Sequence, residues 1–277
     1  MNIRKFSVSS IVKHVLLLAA VLAVFFPIVI LVLNAFKGHE EFGRADLFSL
    51  PDSFFYFGNF SEVLQRTQMG RAFLNTGIII VLSVIGNVAI GTMTAYVLGR
   101  FTFKLRKTVL GTFIAVNFIP MITVQIATFT VVQQLGLYNT LFAAIVLHLG
   151  ADVMQIFIYL QFVKNIPYEL DESAMMEGAS LFKIYYAIVF PLLMPATVTL
   201  IIIKSIKIYN DMFIPYLYMP SQKLGVVSTS LMRFSSERST EWELLSAAIL
   251  MIMLPMVVLY LFFQKYVFAG IVTGAVK

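Results

Sequence analysis

Six stretches of the sequence, 15–36, 73–98, 109–131, 141–163, 187–206 and 246–263, stay apolar for the length of a bilayer crossing. A helix rising 1.5 Å per residue needs about 20 such residues to cross a hydrocarbon layer of ~30 Å. No water reaches backbone N–H and C=O groups inside that layer, so each run must close its own hydrogen bonds as a helix. The expected fold is all-α, a polytopic membrane protein with six transmembrane helices. Composition agrees: 60% of residues are apolar and 12% charged, where a soluble domain carries about one-quarter charged side chains.

The first run follows basic residues (Arg4, Lys5, Lys13) in the manner of a secretory leader, but it continues past the about 7–15 apolar residues of a leader and no small-residue cleavage pattern precedes Lys37. It reads as an anchored first helix. Orientation follows from the short loops. Residues 100–107 carry Arg100, Lys104, Arg106 and Lys107 without an acid, whereas 133–140 carry no charge. The first of these loops is expected in the cytoplasm and the second outside, which places both termini inside. Lys265 and Lys277 agree, and the longer loops, 37–71 and about 207–245, fall outside. The chain then divides into a tail, first helix and external loop (1–70) and a core of five helices with a cytoplasmic loop (71–277).

Other chemistries are excluded. There is no cysteine, hence no disulfide, thiolate metal site or cysteine nucleophile, and His14, His39 and His148 are too scattered for a metal site. The net charge of +6 is spread through loops, so no nucleic-acid partner is implied. Within the spans lie residues an inert anchor does not need. Span two has Asn75, Gly86, Asn87, Gly91, Thr92 and Thr94, and span three has Asn117, Thr123, Gln125 and Thr128. Small residues let helices approach closely, and amides bond across helices or line a polar path. Pro120, Pro195 and Pro255 each interrupt a span and free a carbonyl. His148 and Asp152 are four apart in span four and so are expected on one face, within reach of each other. Three readings stay open for them: a proton relay, the lining of a hydrophilic solute path, or a buried mutual pair.

The cytoplasmic loop between spans four and five, about 164–186, carries the strongest signal. Pro167 suits a first helical position, Glu169, Asp171 and Glu172 suit the N-terminal end of the dipole, and Gly178 suits a left-handed C-terminal cap. A helix of about three turns is expected. It presents Leu170, Ala174 and Gly178 on one face with Met175 beside them, outside the membrane, and its acids disfavour an anionic lipid surface. Such a helix needs a protein partner.

The stretch Glu172-Ser-Ala-Met-Met-Glu177-Gly178-Ala179, followed by Ile188-Val-Phe-Pro191, resembles the EAA loop of permease subunits of binding-protein-dependent ABC importers, with Ser173 for the central Ala and Phe190 for a Leu. Leu135-Gly-Leu-Tyr-Asn-Thr140, Tyr209-Asn-Asp-Met-Phe213 and residues 270–277 resemble the carbohydrate branch, the maltose-permease-like second subunit. The resemblance covers about residues 70–277. It implies a type I importer permease fold in the cell (cytoplasmic, inner) membrane. It also implies a homologous sister permease, a cytoplasmic ATPase dimer and an extracytoplasmic solute-binding protein as partners, besides membrane lipid.

Glu172, Ser173, Ala174, Met175, Glu177, Gly178 and Ala179 would then couple to the ATPase. Glu172 would make polar contacts at its groove, and Ala174, Met175 and Gly178 would pack in it. The chain lacks a phosphate-binding Gly-x-x-x-x-Gly-Lys-Ser/Thr loop. ATP and Mg are therefore expected on the partner ATPase, with no catalytic residue, cofactor or metal in this chain. Asn87, Asn117, Gln125, His148, Asp152, Asn210 and Asp211 are the solute-path candidates, because sugars need paired hydroxyl donors and acceptors; Asn210 and Asp211 suit equally a role in shaping the end of span five. The alternative is a self-sufficient ion-coupled carrier using His148 and Asp152.

Overall fold

The computed structural model describes residues 8–150, 152–234 and 241–275; the basic residues Arg4 and Lys5 and the terminal Lys277, used above for orientation, lie outside them. All regular structure among the described residues is helical. In chain order the helices are α1 (Val8–Ala35), α2 (His39–Arg44), α3 (Gly58–Thr67), α4 (Met69–Arg100), α5 (Arg106–Val116), α6 (Met121–Gln134), α7 (Leu141–Leu149) and α8 (Val153–Asn165). They continue as α9 (Glu169–Met176), α10 (Leu181–Ile184), α11 (Phe190–Leu192), α12 (Met194–Asn210), α13 (Phe213–Tyr218), α14 (Val227–Ser230) and α15 (Trp242–Ala275).

Three of these, in α1, α4 and α15, are unbroken and long and apolar enough to cross a membrane; two bent pairs, Leu141–Leu149 with Val153–Asn165 and Leu181–Leu192 with Met194–Asn210, bring the number to as many as five. The third expected run is divided between α5 and α6. Pro120, without an N–H and in extended backbone, stands at the N-terminal boundary of α6, so the ladder cannot pass through it. In the fifth run the chain turns by 74° at Leu193, with Pro195 in the first turn of the second arm and a π-helical turn, Tyr185–Val189, in the first. Pro255 behaves differently from expectation, since α15 runs through it without a break.

The chain forms two compact units, Met1–Met69 with Ser230–Pro255 and Gly70–Thr229 with Met256–Lys277. In the first, a buried polar knot closes the end of α1. Lys37 Nζ donates to Asn34 Oδ1 at 3.0 Å and to the Asp46 carbonyl at 2.8 Å, and Asn59 Nδ2 donates to the carbonyls of Ala35 and Lys37. Chain ends that would otherwise be orphaned carbonyls thereby find donors.

The second unit holds two apolar clusters. One joins Ala95, Tyr96 and Leu98 of α4 to Ile156, Tyr159, Leu160 and Val163 of α8 and to Ile184, Val189 and Leu193 beyond the cytoplasmic loop. The other joins Ile79 and Val84 of α4 to Ala143, Ala144 and Ile145 of α7 and to Ile214 and Tyr218 of α13. Glycine makes the second contact possible: a Cβ at Gly86 would stand 2.0 Å from Leu149 Cδ2. Among helices in lipid, where apolar burial gives little net drive, such close approach is the main source of attraction.

Candidate functional site

The expected cytoplasmic helix is α9. It begins at Glu169 rather than Pro167 and has eight residues, just over two turns, because the Tyr168 carbonyl already accepts the N–H groups of Asp171 and Glu172. Its C-terminal end closes as the glycine predicts. Gly178 adopts φ +78°, its N–H donates to the Met175 carbonyl and that of Ala179 to the Ala174 carbonyl, both at 2.9 Å, which is the paired bonding of a Schellman cap. Ser180 then caps α10 by accepting the Lys183 N–H, so two helices meet at a fixed knuckle.

Ala174 and Ala179, expected among the groups facing a partner, turn inward and pack on the cluster formed by α4, α8 and the segment from Ile184. Glu172, Ser173, Met175, Glu177 and Gly178 are exposed. Ser173 Oγ donates to the Glu169 carbonyl and so satisfies its hydroxyl within the helix. Met176, not singled out by the sequence pattern, is 88% exposed. Asp171 is buried, and its carboxylate faces Arg100 at the end of α4, with Nε 2.9 Å from Oδ2. Burial pushes the Asp171 carboxyl up from its ordinary value, against the opposing pull of Arg100.

The polar candidates of the spans separate into two groups. Asn117, His148, Asp152, Asn210 and Asp211 line one cavity of about 800 Å³, a size suited to small-molecule sites. Lys204 and Lys207 line the same cavity. Sequence reasoning passed over both, although Lys204 sits inside the fifth run and an ionisable group there is a functional signal by default.

The expected contact of His148 with Asp152 is not formed. Helix α7 ends at Leu149 and Gly150 is extended, so the four-residue spacing does not lie on one helix. Asp152 instead caps α8, accepting the Met154 N–H, and its Oδ2 lies 3.0 Å from Lys207 Nζ. His148 Nε2 lies 3.2 Å from Asp211 Oδ2, and Asp211 Oδ1 also accepts the N–H groups of Phe213 and Ile214 at the start of α13. Asp211 thus shapes the end of the span and also borders the cavity.

Asn87 and Gln125 have other tasks. Asn87 is buried, and its Nδ2 donates to the Gly150 carbonyl at 2.8 Å, satisfying the oxygen that the break between α7 and α8 leaves without a partner. Gln125 donates to the Tyr218 hydroxyl. Outside the cavity, Asn139 sits at φ +60° and its Oδ1 accepts the Ser221 N–H at 3.0 Å. That bond accounts physically for the Leu-Gly-Leu-Tyr-Asn-Thr pattern, whose bend is tied down by its own asparagine.

Residues 87–272, which include the knuckle and the whole cavity lining, match the family of binding-protein-dependent transport system inner membrane components. The chain belongs to this family. The permease is 37% identical, over 269 residues and 96% of each chain, to the melibiose/raffinose/stachyose import permease protein MelC of Bacillus subtilis. It is 24% identical, over 99% of its own length and 98% of the other's, to the arabinooligosaccharides transport system permease protein AraQ of the same organism. Its fold matches that of a chain from a bacterial ABC transporter involved in the import of the acidic polysaccharide alginate, with a TM-score of 0.82 at 20% identity, covering 96% of the permease and 99% of that chain. The permease is thus an integral membrane component of the type I importer fold, and it is a transport subunit rather than an enzyme.

Proposed function

We propose that this permease forms half of the translocation path of an ATP-driven importer for a carbohydrate, in particular an oligosaccharide. In this reading it crosses the cell membrane six times with both termini in the cytoplasm, α5 and α6 together making the third crossing. The first part, 1–70, anchors the chain, and 71–277 is the transport core. It pairs with a homologous sister permease, receives solute from an extracytoplasmic binding protein and docks a cytoplasmic ATPase dimer, which holds ATP and Mg. The chain itself holds no cofactor.

The single observation that carries the reading is α9. A short helix outside the spans is held by an αL glycine cap and by Ala174 and Ala179 from beneath, and it presents Glu172, Met175 and Met176 outward. Its polarity and its two exposed methionines suit a groove of mixed character, methionine being the side chain that adapts best to such surfaces. Closure of the ATPase dimer would move α9 as a rigid body and rock the bundle between inward- and outward-facing states. The carbohydrate assignment rests on the relatives' names together with a cavity rich in paired donors and acceptors: Asn117, Asn210, the His148–Asp211 pair and the Lys207–Asp152 pair.

The deciding experiment uses the absence of native cysteine. Met175→Cys introduces the only thiol, and it is expected to crosslink to the ATPase in the assembled complex in a nucleotide-dependent way. Free reaction of that thiol with water-soluble reagents in the complex, without any crosslink, overturns the docking role. Proton-driven uptake by this chain alone in vesicles would favour the ion-coupled carrier, against which stands the separation of His148 and Asp152 into two different pairs.

A further inference from the structure

Arg100 first attracts notice as one of four basic residues in a cytoplasmic loop, yet its side chain is 7% exposed. Its guanidinium meets three parts of the segment that enters α9. Nη1 donates to the Ile166 carbonyl at 3.0 Å, Nη2 to Asp171 Oδ1 at 3.4 Å, and the planar head lies over the Tyr168 ring at 5.6 Å. Nε is 2.9 Å from Asp171 Oδ2 but is off-line for a hydrogen bond, so that contact is an ion pair only. A planar fork with donors in fixed directions can hold such a set of partners at once, and a lysine cannot. The entry to α9, residues 166–171, is therefore fastened to one side chain at the end of α4.

Helix α4 has 32 residues, roughly 48 Å at 1.5 Å per residue. It has no internal break, so a displacement at its end passes along it as a rigid body. Thirteen positions before Arg100, about 20 Å along the axis, beyond the Thr92 hydroxyl that meets the Tyr185 hydroxyl of the π-helical turn at 2.7 Å, the same helix makes a polar contact with the break between α7 and α8. Asn87 Nδ2 donates to the Gly150 carbonyl at 2.8 Å, and Gly150, with His148 and Asp152 on either side of it, lines the cavity. Around Asn87 the neighbouring helix is close: Gln155 Nε2 donates back to the Asn87 carbonyl at 3.4 Å.

We propose that α4 is a strut with two joints, Arg100 fastening it to the coupling helix through Asp171 and Asn87 fastening it to the α7–α8 break at the cavity wall. Arg100 and Asn87 are positioning residues in this scheme and touch neither ATPase nor solute. Movement of α9 reaches the cavity wall by way of α4, in addition to any path through the π-helical turn that follows α10. The scheme rests on α9 being the coupling helix.

The test uses the complete transporter, with its sister permease, ATPase and binding protein, reconstituted in vesicles and read as solute taken up per ATP hydrolysed. Arg100→Gln and Asn87→Leu are each expected to lower that ratio about tenfold while the complex still assembles and hydrolyses ATP. The double variant is expected to do no worse than the poorer single, because a strut already cut at one joint loses nothing further at the other. An unchanged ratio in Arg100→Gln overturns the proposal, as do effects that multiply in the double variant. If neither Arg100→Gln nor Arg100→Lys co-purifies with the partners, the residue is needed for folding and the proposal also falls. Failure of the unaltered chain to support ATP-driven uptake would instead refute the proposed importer function, and the strut, which rests on it, would fall with it.

Discussion

Two ion pairs of nearly equal length show how differently one kind of contact is used in this molecule. Arg100–Asp171 joins side chains 7% and 4% exposed at 2.9 Å, and Lys207–Asp152 joins side chains 62% and 34% exposed at 3.0 Å. The first is held in place by the Ile166 carbonyl, which accepts from Arg100, and by the Tyr168 ring beneath the guanidinium, and removing one partner strands a buried charge. The second lies in a cavity wall, exposed enough for water to take over either partner. Closed pairs fix geometry, and open pairs offer hydrogen-bonding capacity that can be exchanged for that of a ligand.

The largest expected effect tests the closed region. Gly178→Val puts a β-branched residue at φ +78°, where a Cβ costs about 1–2 kcal/mol and the cap that orients α9 is distorted. Uptake should be abolished with membrane insertion intact, as measured by transport and membrane fractionation of the same cells; normal uptake would show that transport does not need a rigid knuckle.

Next, the two pairs can be compared directly. Arg100→Gln should destabilise the purified permease by about 3–5 kcal/mol locally, as expected for a stranded buried charge. Lys207→Gln should change stability by no more than about 1 kcal/mol while raising the KM for solute several-fold. Thermal unfolding in detergent and uptake kinetics measure the two. Equal destabilisation by both variants would erase the distinction.

A smaller effect is expected between α4 and α7. Gly86→Ala should destabilise by about 1–3 kcal/mol through overpacking, with partial recovery when Leu149 is shortened to Ala in the same chain. No recovery would mean that the strain lies in backbone rather than in that side chain.

The mildest test lies in the segment after α1, where His39 Nδ1 contacts Glu243. The hydrogen bond and charge of Glu243 hold the His39 imidazolium above its ordinary value of 6.5. A raised cation contributes fully below 6.5 and loses its contribution as pH rises through the raised value. Protection of residues 39–44 from hydrogen exchange should therefore decline on raising the pH through that window and become pH-independent in Glu243→Gln.

Local patterns in the sequence proved readable where the physics is local. Gly178 announced a cap that needs only the next few residues, and the apolar runs announced helices that close their own bonds. The pairing of His148 with Asp152 failed because an unbroken span was assumed, and Gly150 together with the capping carboxylate of Asp152 ends one helix and starts another. Arg100 was counted toward orientation because loop charge is read without partners; its partner is 71 residues away, beyond any local rule. Lys204 and Lys207, three residues apart near the end of one apolar run, were the overlooked signal, since a cation at membrane depth needs a reason to be there.

The polar knot of α1 bears on how the sidedness of this chain can be mapped. Lys37 has no exposed surface and its amine is engaged by two oxygens. An impermeant amine-reactive reagent should leave it unmodified from either side, while the exposed Lys223 is open to reagent on its own side of the membrane. Silence at Lys37 would thus reflect an enclosed amine and would give no information on which side of the membrane it lies, so a labelling map of the topology has to be anchored on Lys223.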